Sequence, residues 1–323
     1  MDVGWTWISF YLEAVDMSIG AVFASLSAGM VTGDHVKSQF AFTQFYEGFG
    51  FFGSLSAIGT DSMYAVSMTN PATFRFSGTP VALPKTISIT AGWTFLPNPY
   101  QSQTPLANAL PTGIALQLND QVKSQFSFSS YYPGYGWFGS LTSFTPGWGY
   151  MLFLAGAGGD ATFLPARRRT QEDGIPPPSL TLVDGAVAPP REWAGFRPRG
   201  YSQSMSVTTV VSLHGVNRTS GVLAALVGAE VRGVQATPLA PPFGPLEGTV
   251  LYHIMVHADV DGERVSFALH DGKSTTALDQ TLAFEHSGTV GGALTPLVLT
   301  AGIGARGPER QPLGPHQPSA ATR

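Results

Sequence analysis

The residue types that could carry chemistry here are few, and their spacing narrows them further. There is no cysteine, which removes disulfides, thiolate metal sites and cysteine nucleophiles together. His253 and His257 lie four apart, a spacing that keeps both on one strand face. They are the best pair for a metal, but no HExxH carboxylate accompanies them, and the competing reading is a solvated outer sheet face. Asp259 and Asp261 sit with Glu263 in a DVDGE stretch that faintly resembles a calcium loop. It lacks the other ligands of a 12-residue loop and reads better as a hairpin turn. Gly139-Ser140-Leu141 lacks the second glycine of a nucleophile elbow. No dinucleotide fingerprint or P-loop occurs, and no spacing marks a glycosidase carboxylate pair.

What remains is a ridge of aromatics. Tyr46, Phe49, Tyr132, Tyr135 and Trp137 cluster around glycines in two hairpin-like stretches, with Lys37, Gln39, Lys123 and Gln125 just upstream. Exposed aromatic faces beside amides could stack on sugar rings. The alternative is that the rings pack their own hairpin as cross-strand pairs. For the lysines, the alternative to a ligand contact is a stem covering apolar surface, with the ammonium paired to a neighbouring acid. No cofactor is implied by any of these patterns.

The segments that must position these residues repeat. Residues 34–64 and 120–150 are identical at 15 of 31 positions at a constant offset of 86. Upstream, Gly4-Trp5-Thr6-Trp7 matches Gly92-Trp93-Thr94-Phe95. Chance does not produce this, so the first half is a duplication. In each copy the GWTW or GWTF segment predicts a strand, followed by a short helix. Asp16 is the expected cap in copy one, and Thr104, before Pro105, in copy two. The VKSQF segment predicts another strand. Gly48-Phe49-Gly50 and Gly134-Tyr135-Gly136 predict turns, where positive φ suits glycine.

From Gln203 onward the pattern is alternating β. Met205, Val207, Thr209, Val211 and Leu213 share one face, and Val250, Tyr252, Ile254 and Val256 behave likewise. Turns at His214-Gly215, Asp261-Gly262 and Asp271-Gly272 space the strands as in a β-sandwich. The expected class is therefore mainly β: two tandem homologous β-rich modules, each with one short helix, plus a C-terminal antiparallel β-sandwich. The boundaries read 1–76 for copy one, 77–164 for copy two, 165–192 for a proline-rich linker, 193–302 for the sandwich and 303–323 for a disordered tail. A short strand is expected within the linker at Ser179–Val183.

These motifs resemble a repeat family with the pattern GWNW, GDxIKSQ, GxGWxGSL and PGxGYML. It is associated with large secreted or surface multi-module proteins of marine algae and Bacteroidetes-type bacteria. Copy two matches through Asp120, Lys123, Ser124, Gln125, Gly136, Trp137, Gly139, Ser140, Leu141, Pro146, Gly147, Gly149 and Tyr150. Copy one departs at Asp61, Ser62 and Met63. The third module resembles one found near the C-terminal ends of the same proteins. The resemblance implies an extracellular or cell-surface setting, with polysaccharide or other surface proteins as partners.

Charge and targeting fit unevenly. The formal net charge of −4 does not suggest nucleic acid, whose backbone calls for a basic face. No apolar run is long enough for a transmembrane helix. Asn217-Arg218-Thr219 is an N-glycosylation sequon at a turn. No signal peptide is visible. The strand-like stretch 81–91 precedes copy two, whereas only Met-Asp-Val precedes Gly4. Copy one thus reads as lacking its first strand through a truncated gene model; the alternative is an intracellular protein. The functional expectation is a non-enzymatic structural or adhesive surface protein. A carbohydrate-binding array is the first alternative and an unfamiliar hydrolase the second.

Overall fold

A computed structural model describes residues 1–165, 181–182 and 187–301 of the chain. The protein is mainly β, as the turn-rich, aromatic-rich composition predicts. Copy one folds as a five-stranded antiparallel sheet. Its strand order is Gly4–Ser9, Met63–Met68, His35–Lys37, Phe42–Tyr46, Gly50–Gly53. Copy two repeats that order with Gly92–Leu96, Tyr150–Leu154, Gln121–Lys123, Phe128–Tyr132 and Gly136–Gly139. Registers match too: Lys37 pairs with Phe42 and Ala65, and Lys123 with Phe128 and Met151.

The shared polar residues hold equivalent loops. Asp34 and Asp120 are buried, and each carboxylate accepts backbone N–H bonds from two loops: Val31 and Thr69 in copy one, Gln117 and Ala155 in copy two. Ser38 and Ser124 close the turns that follow the lysine strands. The Tyr64 and Tyr150 hydroxyls accept from Gly59 and Thr145, each at 2.7 Å. Gly53 and Gly139 are required by close approach: a Cβ would lie 2.3 and 2.4 Å from the carbonyls of Phe42 and Phe128.

The helices are shorter than their sequence suggests, and capped differently. In copy one the α-helix is Ile19–Val22, followed by a 3-10 turn at Ala24–Leu26. Ser18, not Asp16, accepts the N-terminal N–H; Asp16 instead accepts from Ser18 N–H. In copy two the helix is Leu106–Ala109 with Pro105 at the cap, because Thr104 pairs with Phe144 in a two-stranded bridge.

The third module is a two-sheet sandwich. The central strand Gln203–Leu213 pairs antiparallel with Tyr252–Ala258 and parallel with Thr289–Val290 and Leu297–Ala301. The opposing sheet runs Glu230–Gln235, Val222–Val227, Arg264–His270, Thr275–Ala283, all antiparallel. Between them lies an apolar core that includes Met205, Val207, Val211, Tyr252, Ile254, Val256 and Phe267. Full burial of such side chains contributes roughly 1.5–3 kcal/mol each. In the linker region, Thr181–Leu182 pairs with Leu239–Ala240. Arg167, Arg168 and Arg169 and the tail 303–323 lie outside the described residues. Among the described residues no helix is long and apolar enough to cross a membrane.

Candidate functional site

The glutamines of the two VKSQ segments tie the copies together. Gln39 Nε2 donates to the Trp93 carbonyl (2.7 Å), and Gln39 Oε1 accepts from Phe95 N–H (2.9 Å). Reciprocally, Gln125 Nε2 donates to the Trp5 carbonyl (2.8 Å), and Gln125 Oε1 accepts from Trp7 N–H (3.4 Å). Each glutamine thus reads the edge strand of the other module as a β-ladder neighbour would. The arrangement is the isologous exchange expected of two like surfaces. Gln39 and Gln125, expected as ligand contacts, are inter-module clasps.

The lysines next to them have a different role. Lys37 Nζ lies 4.5 Å from the Trp5 ring centroid, and Lys123 Nζ lies 4.3 Å from that of Trp93. Among the described residues, neither makes the acid pairing that the sequence offered as the plain alternative. Lys123 is fully buried, and desolvation pushes its ammonium down to about 7. Its acceptors are neutral and distant: Ser287 Oγ at 3.3 Å, and the Ser204 carbonyl and Oγ at 3.4 and 3.5 Å. Both lysines and both tryptophans line a cavity of about 460 Å³ where the three modules meet. Trp5 and Trp93 are the positions the sequence reading missed, although their recurrence in GWTW and GWTF was the available signal.

The aromatic hairpins of the two copies meet opposite fates. In copy two, Phe128, Tyr132 and Phe138 lie on the outer sheet face, and all three are at most 2 % exposed. The third module covers them. Phe243 sits 4.5 Å from Tyr135, 5.0 Å from Tyr132 and 5.5 Å from Phe138, centroid to centroid. The Tyr132 hydroxyl accepts from Ala293 N–H at 2.6 Å. Burial raises the Tyr132 phenol above its ordinary value. Ser206 Oγ donates to Gln121 Oε1 at 2.9 Å. Tyr135 remains partly open beside Phe243, and Trp137 packs on the core of its own module. Tyr132 is therefore unavailable for stacking on a sugar.

The same contact corrects the view of the sandwich's outer face. His253 and His257 do share one strand face, but that face is buried against copy two rather than solvated. His253 lies 5.6 Å from Phe128 and 5.2 Å from Phe138, and burial holds its imidazole at about 4. The His257 ring nitrogens face the carbonyls of Gln125 (3.0 Å) and Arg232 (3.3 Å). Asp259 accepts from Ser202 N–H and Oγ, and Asp261 from His286 N–H. These four residues lock loops and the interface. No cluster of three or more metal-ligating side chains occurs among the described residues. Asn217 is exposed on a hairpin strand.

Copy one keeps the aromatics, and no module covers them among the described residues. Phe42 and Phe52, the counterparts of Phe128 and Phe138, are 54 % and 57 % exposed, and Phe49 is 81 % exposed. Tyr46 packs edge-on to Phe52 at 5.7 Å, and its ring too is exposed. Neither family models, curated proteins nor solved structures give a match to this chain.

Proposed function

We propose that this chain is a non-enzymatic, extracellular or cell-surface assembly protein whose first module docks a β-sandwich module of another polypeptide. One observation carries the reading: the same aromatic sheet face occurs twice, once sealed by a sandwich and once, among the described residues, bare. An uncovered apolar patch of clustered rings marks an interaction surface. Copy two supplies the template for its occupant, a sheet face of small hydroxyl residues like Ser204, Ser206 and Thr208, flanked by a phenylalanine anchor like Phe243. The extracellular setting follows the resemblance of the repeat motifs, and tandem modules suit multivalent attachment.

A carbohydrate-binding reading is favoured by the exposure of Phe49 and Phe52, which present open ring faces. Two assays separate the readings. The full chain, and a Phe42→Ser/Phe52→Ser variant, are passed over an immobilised 193–302 module and over a glycan array. Assembly predicts capture of the unmodified chain by the module, lost in the variant. Capture by neutral glycans with no module binding supports the alternative, and binding to neither overturns both.

A further inference from the structure

The cavity at the junction of the three modules is separate from the bare aromatic face, and its chemistry points elsewhere. It is lined by two lysines, Lys37 and Lys123, and by Trp5, Trp7, Trp93 and Phe95. None of the described residues lining it is an aspartate or glutamate. A buried ammonium is costly unless something anionic completes it. Among the described residues, Lys123 is buried with only neutral acceptors at the long end of hydrogen-bond range, while the volume of about 460 Å³ beside it is open. That volume falls in the range of small-molecule sites, about 300–1,000 Å³. It is too large to be set aside for a lone inorganic anion. Aromatic walls with a few polar groups suit a compact ring that has an apolar face.

We infer that this cavity binds an anionic hexose, a sugar ring whose carboxylate or sulfate group lies between Lys123 and Lys37 and whose ring lies against Trp7 and Phe95. The two lysines arrive from equivalent strands of the two copies, so the duplication and the glutamine clasp together build the site. A single copy would supply one lysine and half the walls. The third module closes it through Ser204 and Ser287.

Calorimetry and tryptophan fluorescence on the full chain test this, with glucuronate, galactose 6-sulfate, neutral glucose and sodium sulfate as probes. The expected result is saturable binding of glucuronate or the sulfated sugar, at least tenfold tighter than glucose and than sulfate alone. The relative strength of the two acidic sugars identifies the anionic group. Lys123→Met and Lys37→Met each weaken binding at least tenfold, while Val15→Ser, at an exposed position outside the cavity, leaves it unchanged. Melting curves establish that each variant is folded, and either lysine variant suffices for the test. Glucose or bare sulfate binding as tightly as the acidic sugars overturns the inference, as does acidic-sugar binding indifferent to both lysine substitutions, or no saturable binding. None of these results bears on whether Phe42 and Phe52 dock a partner module.

Discussion

Lys123 offers a quantitative test of how the modules are joined. It is fully buried over Trp93, with its ammonium lowered from 10.5 to about 7 by desolvation. The unfolded chain therefore binds this proton up to about pH 10.5, whereas the folded protein releases it near pH 7. Between those values the unfolded state holds more protons, so the fold gains stability as pH rises. One pH unit of differential protonation is worth about 1.4 kcal/mol, so this residue contributes a change on the order of 2–3 kcal/mol between pH 6 and pH 9. Lys123→Met keeps most of the stem's packing and removes the proton. Urea unfolding of both proteins at the two pH values, with equal m values, isolates the effect, because packing changes cancel in the difference. The Met variant should gain stability relative to the lysine protein at pH 6, and that advantage should shrink by roughly 2–3 kcal/mol at pH 9. An advantage or penalty independent of pH would refute the burial of the charged group between the modules.

The twin aromatics give a matched pair. Phe138→Ala should cost about 3–5 kcal/mol in urea unfolding, as buried phenylalanines do, whereas Phe52→Ala at the equivalent exposed position should stay within about 1 kcal/mol. Equal costs would contradict the asymmetry between the copies. Gln39→Ala orphans the Phe95 N–H at the clasp and should cost about 1–3 kcal/mol, with a double-mutant cycle to Gln125→Ala reporting whether the two clasps act together. His253 carries an imidazole depressed to about 4 by burial, and its Nδ1 has no hydrogen-bond partner among the described residues. The unfolded chain protonates near pH 6.5 and the folded one does not, so stability should fall as pH drops from 6.5 to about 4. Replacing His253 with Met should flatten that acid limb; an unchanged limb would show that the imidazole is not held neutral.

Much of the architecture was readable because its causes are local. Alternation at Met205–Leu213 and Tyr252–Ala258 fixed the faces of two sandwich strands, and the repeated glycines fixed the turns between Tyr46 and Gly50 and between Tyr132 and Gly136. What alternation cannot tell is what lies beyond the polar side of a sheet. Ser204, Ser206 and Thr208 look solvated in sequence, yet they are buried against copy two because that sheet has a second partner. For the same reason His253 and His257 seemed to be surface residues. The glutamine clasp was hidden because Gln39 and Gln125 bond to backbone 54 to 120 residues away, and no spacing encodes that distance. The cap at Ser18 lost to Asp16 in the sequence reading because both residue types cap well and only geometry ranks them. Lys37 and Lys123 were singled out by recurrence, but the partners over which they lie, Trp5 and Trp93, came from the opening strand of each copy.

The exposed aromatic face of copy one is the proposed docking surface. Hydrogen exchange of the full chain, with and without a saturating 193–302 module, reads that face directly. Backbone amides of Phe42–Gly53 should gain protection when the module is added, and the gain should vanish in the Phe42→Ser/Phe52→Ser variant. Protection confined to other segments, or none at all, would contradict it.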